Sequence, residues 1–223
     1  MSWESTVTYY RVINETVKEK LRGFHSAKCI LHSVDFHEIE ECQSAGDWDR
    51  SAEILTRAAQ GLERAGAELI IICTNTMHKV ADAIQAGISL PILHIAEVTA
   101  EELKANKVDR VALLGTKYTM EQDFYKDRLI RNGISVMVPD EKDRERINTV
   151  IFQELCLGIV SEESKKEFLR IIGDLTEKGA QGVILGCTEI GILVNQKDTE
   201  TPLFDTTAIH GKKAALYAIG TDI

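Results

Sequence analysis

Apolar residues along this chain of 223 residues fall into two alternating patterns: stripes spaced three or four apart, and short unbroken runs. The first is the periodicity of a helix with one face on a core, and the second fits a strand buried on both faces of a parallel sheet. Tyr9, Tyr10, Ile13, Val17 and Leu21 open the series and predict a helix that Gly23 stops, entered through the polar turn Met1-Ser2-Trp3-Glu4-Ser5-Thr6. A strand is predicted over 28–36, an acidic loop or short helix over 37–46, and a helix over 49–66 with Ile54, Leu55, Ala58 and Leu62 on one stripe. A strand at 69–72, a helix at 75–85, a short strand at 90–95 and a helix at 97–107 follow; Pro91 favours an edge or first position for that short strand.

From Val108 the order restarts, with strands at 110–114, 134–138 and 182–185 and helices at 120–131, 143–157 and 162–178. Alternating strands and helices imply parallel sheets with right-handed crossovers and ligands beyond the carboxyl ends of the strands. The expected fold is α/β: two similar lobes, each a parallel sheet flanked by helices, related by a pseudo-twofold with the active site in the cleft between them. The expected division is 1–95 with 208–223 as the first lobe and 96–207 as the second.

Two stretches look like copies of one device, Ile70-Ile71-Ile72-Cys73-Thr74-Asn75-Thr76 and Val183-Ile184-Leu185-Gly186-Cys187-Thr188-Glu189. In each, a buried-strand run stops at a cysteine and polar residues follow as though to open a helix. The cysteines are 187 − 73 = 114 residues apart, about half the chain, as an internal duplication requires. A second echo pairs Ser2-Trp3-Glu4-Ser5-Thr6-Val7-Thr8-Tyr9-Tyr10 with Tyr118-Thr119-Met120-Glu121-Gln122-Asp123-Phe124-Tyr125, except that the strand Val111-Ala112-Leu113-Leu114 before the second turn has no counterpart before Met1.

Composition narrows the function class. A net charge of −9 argues against nucleic acid or an anionic membrane surface as the main partner. No apolar run approaches a transmembrane length and no secretory leader is readable, so a cytoplasmic location is expected. Five cysteines without CxxC spacing read as reduced thiols.

A thiol at a strand-to-helix turn is open to activation and can be a thiolate near neutral pH, so Cys73 and Cys187 are candidate acid/bases. One thiolate and one thiol on opposite sides of a carbon would remove a proton from one face and return one to the other, inverting the centre. Backbone amides together with Thr74, Asn75, Thr76 and Thr188 are candidate donors to the charge that develops on a substrate carboxylate.

The stretch Cys73 to Met77, the turn Gly186-Cys187-Thr188-Glu189, Gly115-Thr116 with Thr119, the opening Met1-Ser2 and the segment Asp205 to His210 resemble the aspartate/glutamate racemase superfamily over nearly the whole chain. The resemblance is to its aspartate/glutamate or broad-specificity amino-acid racemases. It implies a small amino-acid substrate, no pyridoxal phosphate or metal cofactor, and commonly a homodimer. It implies Cys73 and Cys187 as catalytic residues, with Met1, Thr74, Asn75, Thr76, Thr119 and Thr188 lining the substrate site. Family members carry a strand and a glycine pair before the Met-Ser turn, so the first lobe is expected to lack its N-terminal strand here, Met1 being internal to a longer protein. Aspartate-specific relatives hold the side-chain carboxylate with basic residues, and Asp35-Phe36-His37-Glu38-Ile39-Glu40-Glu41 offers no evident cation.

Alternatives stay open. Hydantoin racemase or a maleate-isomerase-like enzyme would keep both cysteines. A two-lobed small-carboxylate binding protein would keep the cleft without turnover. Cys29 and Cys156 read as packing residues and Cys42 as an incidental loop thiol. His78 either orients substrate or caps its turn; His210, read as opening the last helix, either supports a cysteine or caps; Glu189 either tunes Cys187 or caps. His32, His37 and His94 show no zinc-ligand spacing.

Overall fold

The computed structural model describes residues 1–220. Its elements run, in chain order, α1 (Trp3–Leu21), α2 (Phe36–Ala45), α3 (Trp48–Arg64), β1 (Ile70–Ile71), a 3-10 turn (Thr76–Val80), α4 (Ala81–Ala86), β2 (Ile92–Leu93) and α5 (Ile95–Ala105). They continue with β3 (Arg110–Gly115), α6 (Lys117–Glu121), α7 (Asp123–Arg131), β4 (Ser135–Met137), α8 (Glu141–Gln153) and α9 (Glu162–Glu177). Last come β5 (Gly182–Gly186), α10 (Ile190–Leu193), β6 (Leu203–Asp205) and α11 (Thr206–Ala218). The described chain forms two compact units, residues 1–94 with 210–220 and residues 95–209. It is an α/β fold with one parallel sheet in each unit.

In the first unit β1 and β2 pair in parallel, Ile70 opposite Ile92 and Ile71 opposite Leu93. Met77, Val80, Ala81 and Ile84 project from the turn after β1 and from α4 onto Ile39, Leu55 and Ala59, forming the core of this unit. Burying each large aliphatic side chain contributes about 1.5–3 kcal/mol. Helix α11 lies close along α1: a Cβ at Gly211 would meet Val12 Cγ1 at 3.0 Å.

The strand expected over 28–36 does not form. A strand exists through its ladder bonds, and among the described residues this segment has none; Ile30 and Leu31 are exposed. Its last residue belongs instead to α2, because Asp35 accepts from the His37 amide at 3.0 Å and starts that helix.

In the second unit the strand order is β4-β3-β5-β6, all parallel. Alternate residues take opposite faces. Ala112, Leu114, Val183 and Leu185 join Ile147, Ile151, Phe168 and Leu175 of α8 and α9. Val111, Leu113 and Ile184 join Leu103, Tyr125 and Leu129 of α5 and α7. Covering both faces is why β3 and β5 read as continuous apolar runs. At their carboxyl ends these strands approach so closely that a Cβ on Gly186 would lie 2.8 Å from the Leu114 carbonyl oxygen.

Three predicted helices are subdivided. The one expected at 75–85 is the 3-10 turn followed by α4. That at 120–131 starts earlier, at a Thr116 cap, and breaks at Gln122, whose backbone is extended (φ −88, ψ 155). That at 143–157 stops at Gln153 before a 3-10 turn closed by Gly158 in the left-handed region.

Candidate active site

In the first unit the chain leaves β1 through a tight turn in which the Thr74 amide donates to the Ile72 carbonyl at 2.7 Å. The Cys73 carbonyl accepts from the Met1 amino group at 3.2 Å. Asn75 and Thr76 are buried on this turn, which places Met1, Cys73, Thr74, Asn75 and Thr76 together. Burial pushes the Cys73 thiol up to about 11, against the pull of the nearby terminal ammonium.

In the second unit the Cys187 thiol donates to Glu189 Oε2 at 3.0 Å, and the Thr188 hydroxyl donates to the same oxygen at 2.5 Å. Burial, and then the negative charge of Glu189, hold the Cys187 thiol well above its ordinary value. Both shifts favour the thiol over the thiolate that a strand-to-helix turn is expected to allow. The elements that follow them explain part of this. A five-residue 3-10 turn and the four-residue α10 carry little dipole to set against desolvation.

The two units share a second device. Ser2 Oγ accepts from the Ser5 amide and lies 2.9 Å from Ser5 Oγ, at the start of α1. Thr116 Oγ1 accepts from the Thr119 amide and lies 3.2 Å from Thr119 Oγ1, at the start of α6. These pairs are 114 residues apart (116 − 2 and 119 − 5), so Thr119 has a counterpart in Ser5.

The cysteines, also 114 apart in sequence, are not equivalent in the ladders. Helix α5 starts two residues after Leu93, and α11 two residues after Phe204. Leu93 pairs with Ile71 and Phe204 with Ile184. On that register Ile71 matches Ile184, Cys73 matches Gly186, and Thr74 matches Cys187. The packing agrees: Met77, Val80 and Ala81 are buried in the first unit where Ile190, Leu193 and Val194 are buried in the second. The next pair of positions agrees as well. The rings of His78 and His94 are 4.5 Å apart, and at the matching residues a Cβ on Gly191 would meet Asp205 Oδ2 at 3.0 Å.

Histidines gather beside the first turn. His78 Nδ1 lies 2.8 Å from the Thr74 carbonyl oxygen, and the His78 ring packs on those of His94 and His210. A carbonyl only accepts, so this nitrogen carries the proton. His210 donates from Nε2 to the Leu93 carbonyl at 2.9 Å, and its Nδ1 accepts from the Tyr9 hydroxyl at 2.8 Å. Because α11 begins at Thr206, His210 lies one turn inside the helix, fully buried, and does not open it as expected, which removes the capping alternative. Sequence reasoning missed this cluster. Its members come from three distant segments, and their spacing carries no signal.

In the second unit Asp205 accepts from the Thr207 amide at 2.8 Å, and the Thr206 hydroxyl donates to the Leu185 carbonyl at 2.8 Å, tying the start of α11 to the end of β5. Among the described residues, no group of three or more His, Cys, Asp or Glu side chains is arranged to hold a metal ion. No helix among them is long and apolar enough to cross a membrane.

A profile of the Asp/Glu/hydantoin racemase family matches residues 1–214. The broad specificity amino-acid racemase RacX of Bacillus subtilis (strain 168) is 26% identical over 169 residues, which are 74% of this chain and 71% of that protein. The crystal structure of a candidate Asp/Glu racemase from Yersinia pestis is 57% identical with a TM-score of 0.92, covering 98% of this chain and 95% of that one. An aspartate racemase homologue from Pyrococcus horikoshii OT3 is 37% identical with a TM-score of 0.85, covering 98% of this chain and 95% of that one. With the two cysteine turns and the parallel sheets already described, these similarities make the chain a member of the Asp/Glu/hydantoin racemase family.

Proposed function

We propose that the chain is an amino-acid racemase that works without pyridoxal phosphate or metal, interconverting the L and D forms of aspartate, glutamate or a broader set. The observation that carries this reading is the Cys187 thiol held by hydrogen bond on Glu189 at the end of a parallel strand. A buried thiol beside a carboxylate can pass its proton to that carboxylate, and an incoming ammonium group favours the resulting thiolate. The thiolate takes the Cα proton from one face while an S–H group on the other face supplies a new one. For the opposite enantiomer the roles reverse. Charge spreading into the substrate carboxylate is met by donors at Thr74, Asn75, Thr76, Thr119 and Thr188.

On the two-cysteine assignment Cys73 is the second acid/base. The ladder register favours a second assignment, in which Thr74 holds the position matching Cys187. An alcohol is a poor base without an activating partner. The protein would then have one strong acid/base, Cys187, and would withdraw the α-proton of one enantiomer much faster than that of the other. Racemisation by Cys73→Ala and Thr74→Val separates the two assignments: loss in the first variant supports the cysteine pair, and loss in the second with activity kept in the first supports threonine.

A homodimer belongs to the same reading, supported by the exposed stripe Trp3, Val7 and Tyr10 on α1. Light scattering at micromolar concentration tests it, a monomer mass counting against it.

A further inference from the structure

We infer that His78 is a positioning residue that orients the first unit's active turn through its hydrogen bond to the Thr74 carbonyl. This rests on the proposed racemase reading, in which that turn serves one face of the substrate carbon.

The turn after β1 closes on its own backbone at the Thr74 amide and again where the His78 amide donates to the Asn75 carbonyl at 3.1 Å. With the Thr74 amide committed to the Ile72 carbonyl, the Thr74 carbonyl lies within reach of a buried imidazole at 2.8 Å. The Thr74 carbonyl is part-buried, and the imidazole supplies the donor it needs on its buried side. Because the peptide unit is planar and trans, holding the Thr74 carbonyl toward His78 directs the Asn75 N–H to the opposite side. The imidazole thus sets the direction of a backbone donor on the turn that carries Cys73 and Thr74.

His78 is itself fixed. Its ring lies against His94 at 4.5 Å and His210 at 5.8 Å, and His210 is anchored at both nitrogens by Tyr9 and Leu93. Burial holds the His78 imidazole well below its ordinary value, so it acts as a neutral, directional donor and not as a charge. At the matching position the second unit has Gly191, which carries no side chain to donate to its turn. There the turn is organised by the Glu189 carboxyl group, which accepts from Cys187 and Thr188. A change at His78 should therefore disturb one half-reaction more than the other.

The experiment measures α-proton exchange in heavy water with L-aspartate and D-aspartate, and with both enantiomers of glutamate as second probes. Cys187→Ala defines the reference, since the enantiomer it still exchanges is the one served by the first unit's turn. His78→Ala is expected to slow exchange of that enantiomer by about tenfold to a hundredfold, with a smaller effect on the other. His78→Asn is expected to restore it, because the amide nitrogen reaches the place of Nδ1. His78→Gln is not, since its nitrogen falls at the place of Nε2. Thermal unfolding of each variant is recorded alongside. If His78→Ala fails to fold, the contrast between Asn and Gln decides. Equal loss for both enantiomers, or equal behaviour of Asn and Gln, overturns the inference. A Cys187→Ala protein that still exchanges both enantiomers overturns the racemase reading instead; one that exchanges neither supports the Thr74 assignment, and the enantiomer exchanged more slowly by the parent chain then marks the one served by the first unit's turn.

Discussion

Glu189 Oε2 receives two hydrogens, from the Cys187 thiol at 3.0 Å and from the Thr188 hydroxyl at 2.5 Å. The carboxyl group has two opposed effects on its neighbour. It raises the thiol's pKa by its charge, and it offers a destination for the thiol's proton. Glu189→Gln should separate them. In a background where Cys187 is the sole cysteine, its alkylation profile should shift to lower pH, while racemisation in the otherwise intact chain falls by about tenfold to a hundredfold. An unchanged alkylation profile would show that Glu189 does not control the thiol.

The close approach of β3 and β5 makes Gly186 intolerant of a side chain. An added Cβ would meet the Leu114 carbonyl oxygen at 2.8 Å and Leu113 Cδ1 at 2.9 Å. Backbone cannot retreat as a flexible side chain can, so Gly186→Ala should lose about 1–3 kcal/mol in denaturant unfolding. Gly173→Ala is the control, with no heavy atom within 4 Å of the new Cβ. Lying inside α9, it should gain about 0.5–1 kcal/mol.

Stability should fall on mild acidification. Burial pulls His210 from 6.5 down to about 4 and, with the charges of His94 and His210 acting the same way, holds His78 well below its ordinary value. Groups depressed in this way contribute stability that is complete above their unfolded value and is lost as pH falls through the folded one. For His210 alone the loss between pH 7 and pH 4 approaches about 3 kcal/mol. Asp205, raised by burial, works in the opposite direction over part of that range. Comparing the parent chain with His210→Gln isolates the histidine: the variant should show a shallower loss, and equal slopes would remove His210 as the cause.

Chemistry carried by thiols alone should resist a chelator and a carbonyl reagent directed at pyridoxal phosphate, and should be abolished by alkylation. Activity lost on dialysis against chelator and restored by zinc would contradict the proposed cofactor independence.

Much of the architecture was legible because its cause is local. The Ser2 cap and the stripe Tyr9, Ile13 and Val17 specify α1, and the runs Val111–Leu114 and Val183–Leu185 specify strands buried on both faces. Where partners decide, local pattern was insufficient. Cys29-Ile30-Leu31 looks like a strand, yet no ladder forms on it among the described residues. The same limit applies at the site. Counting residues pairs Cys73 with Cys187, whereas β1–β2 and β5–β6 pairing matches Cys187 with Thr74, and only the strand register reveals the offset. Glu189 stood in sequence beside its cysteine, but the linkage of His78 to the Thr74 carbonyl required the fold.

The central claim is that acid/base groups on both cysteine turns act on one α-carbon, and α-proton exchange in heavy water tests it directly. Cys73→Ala and Cys187→Ala are each given pure L-aspartate and pure D-aspartate, and exchange and chirality are read together. The two-cysteine account predicts that neither variant racemises, and that each retains exchange of one enantiomer only, the two preferring opposite hands. Near-normal racemisation by either variant would contradict it.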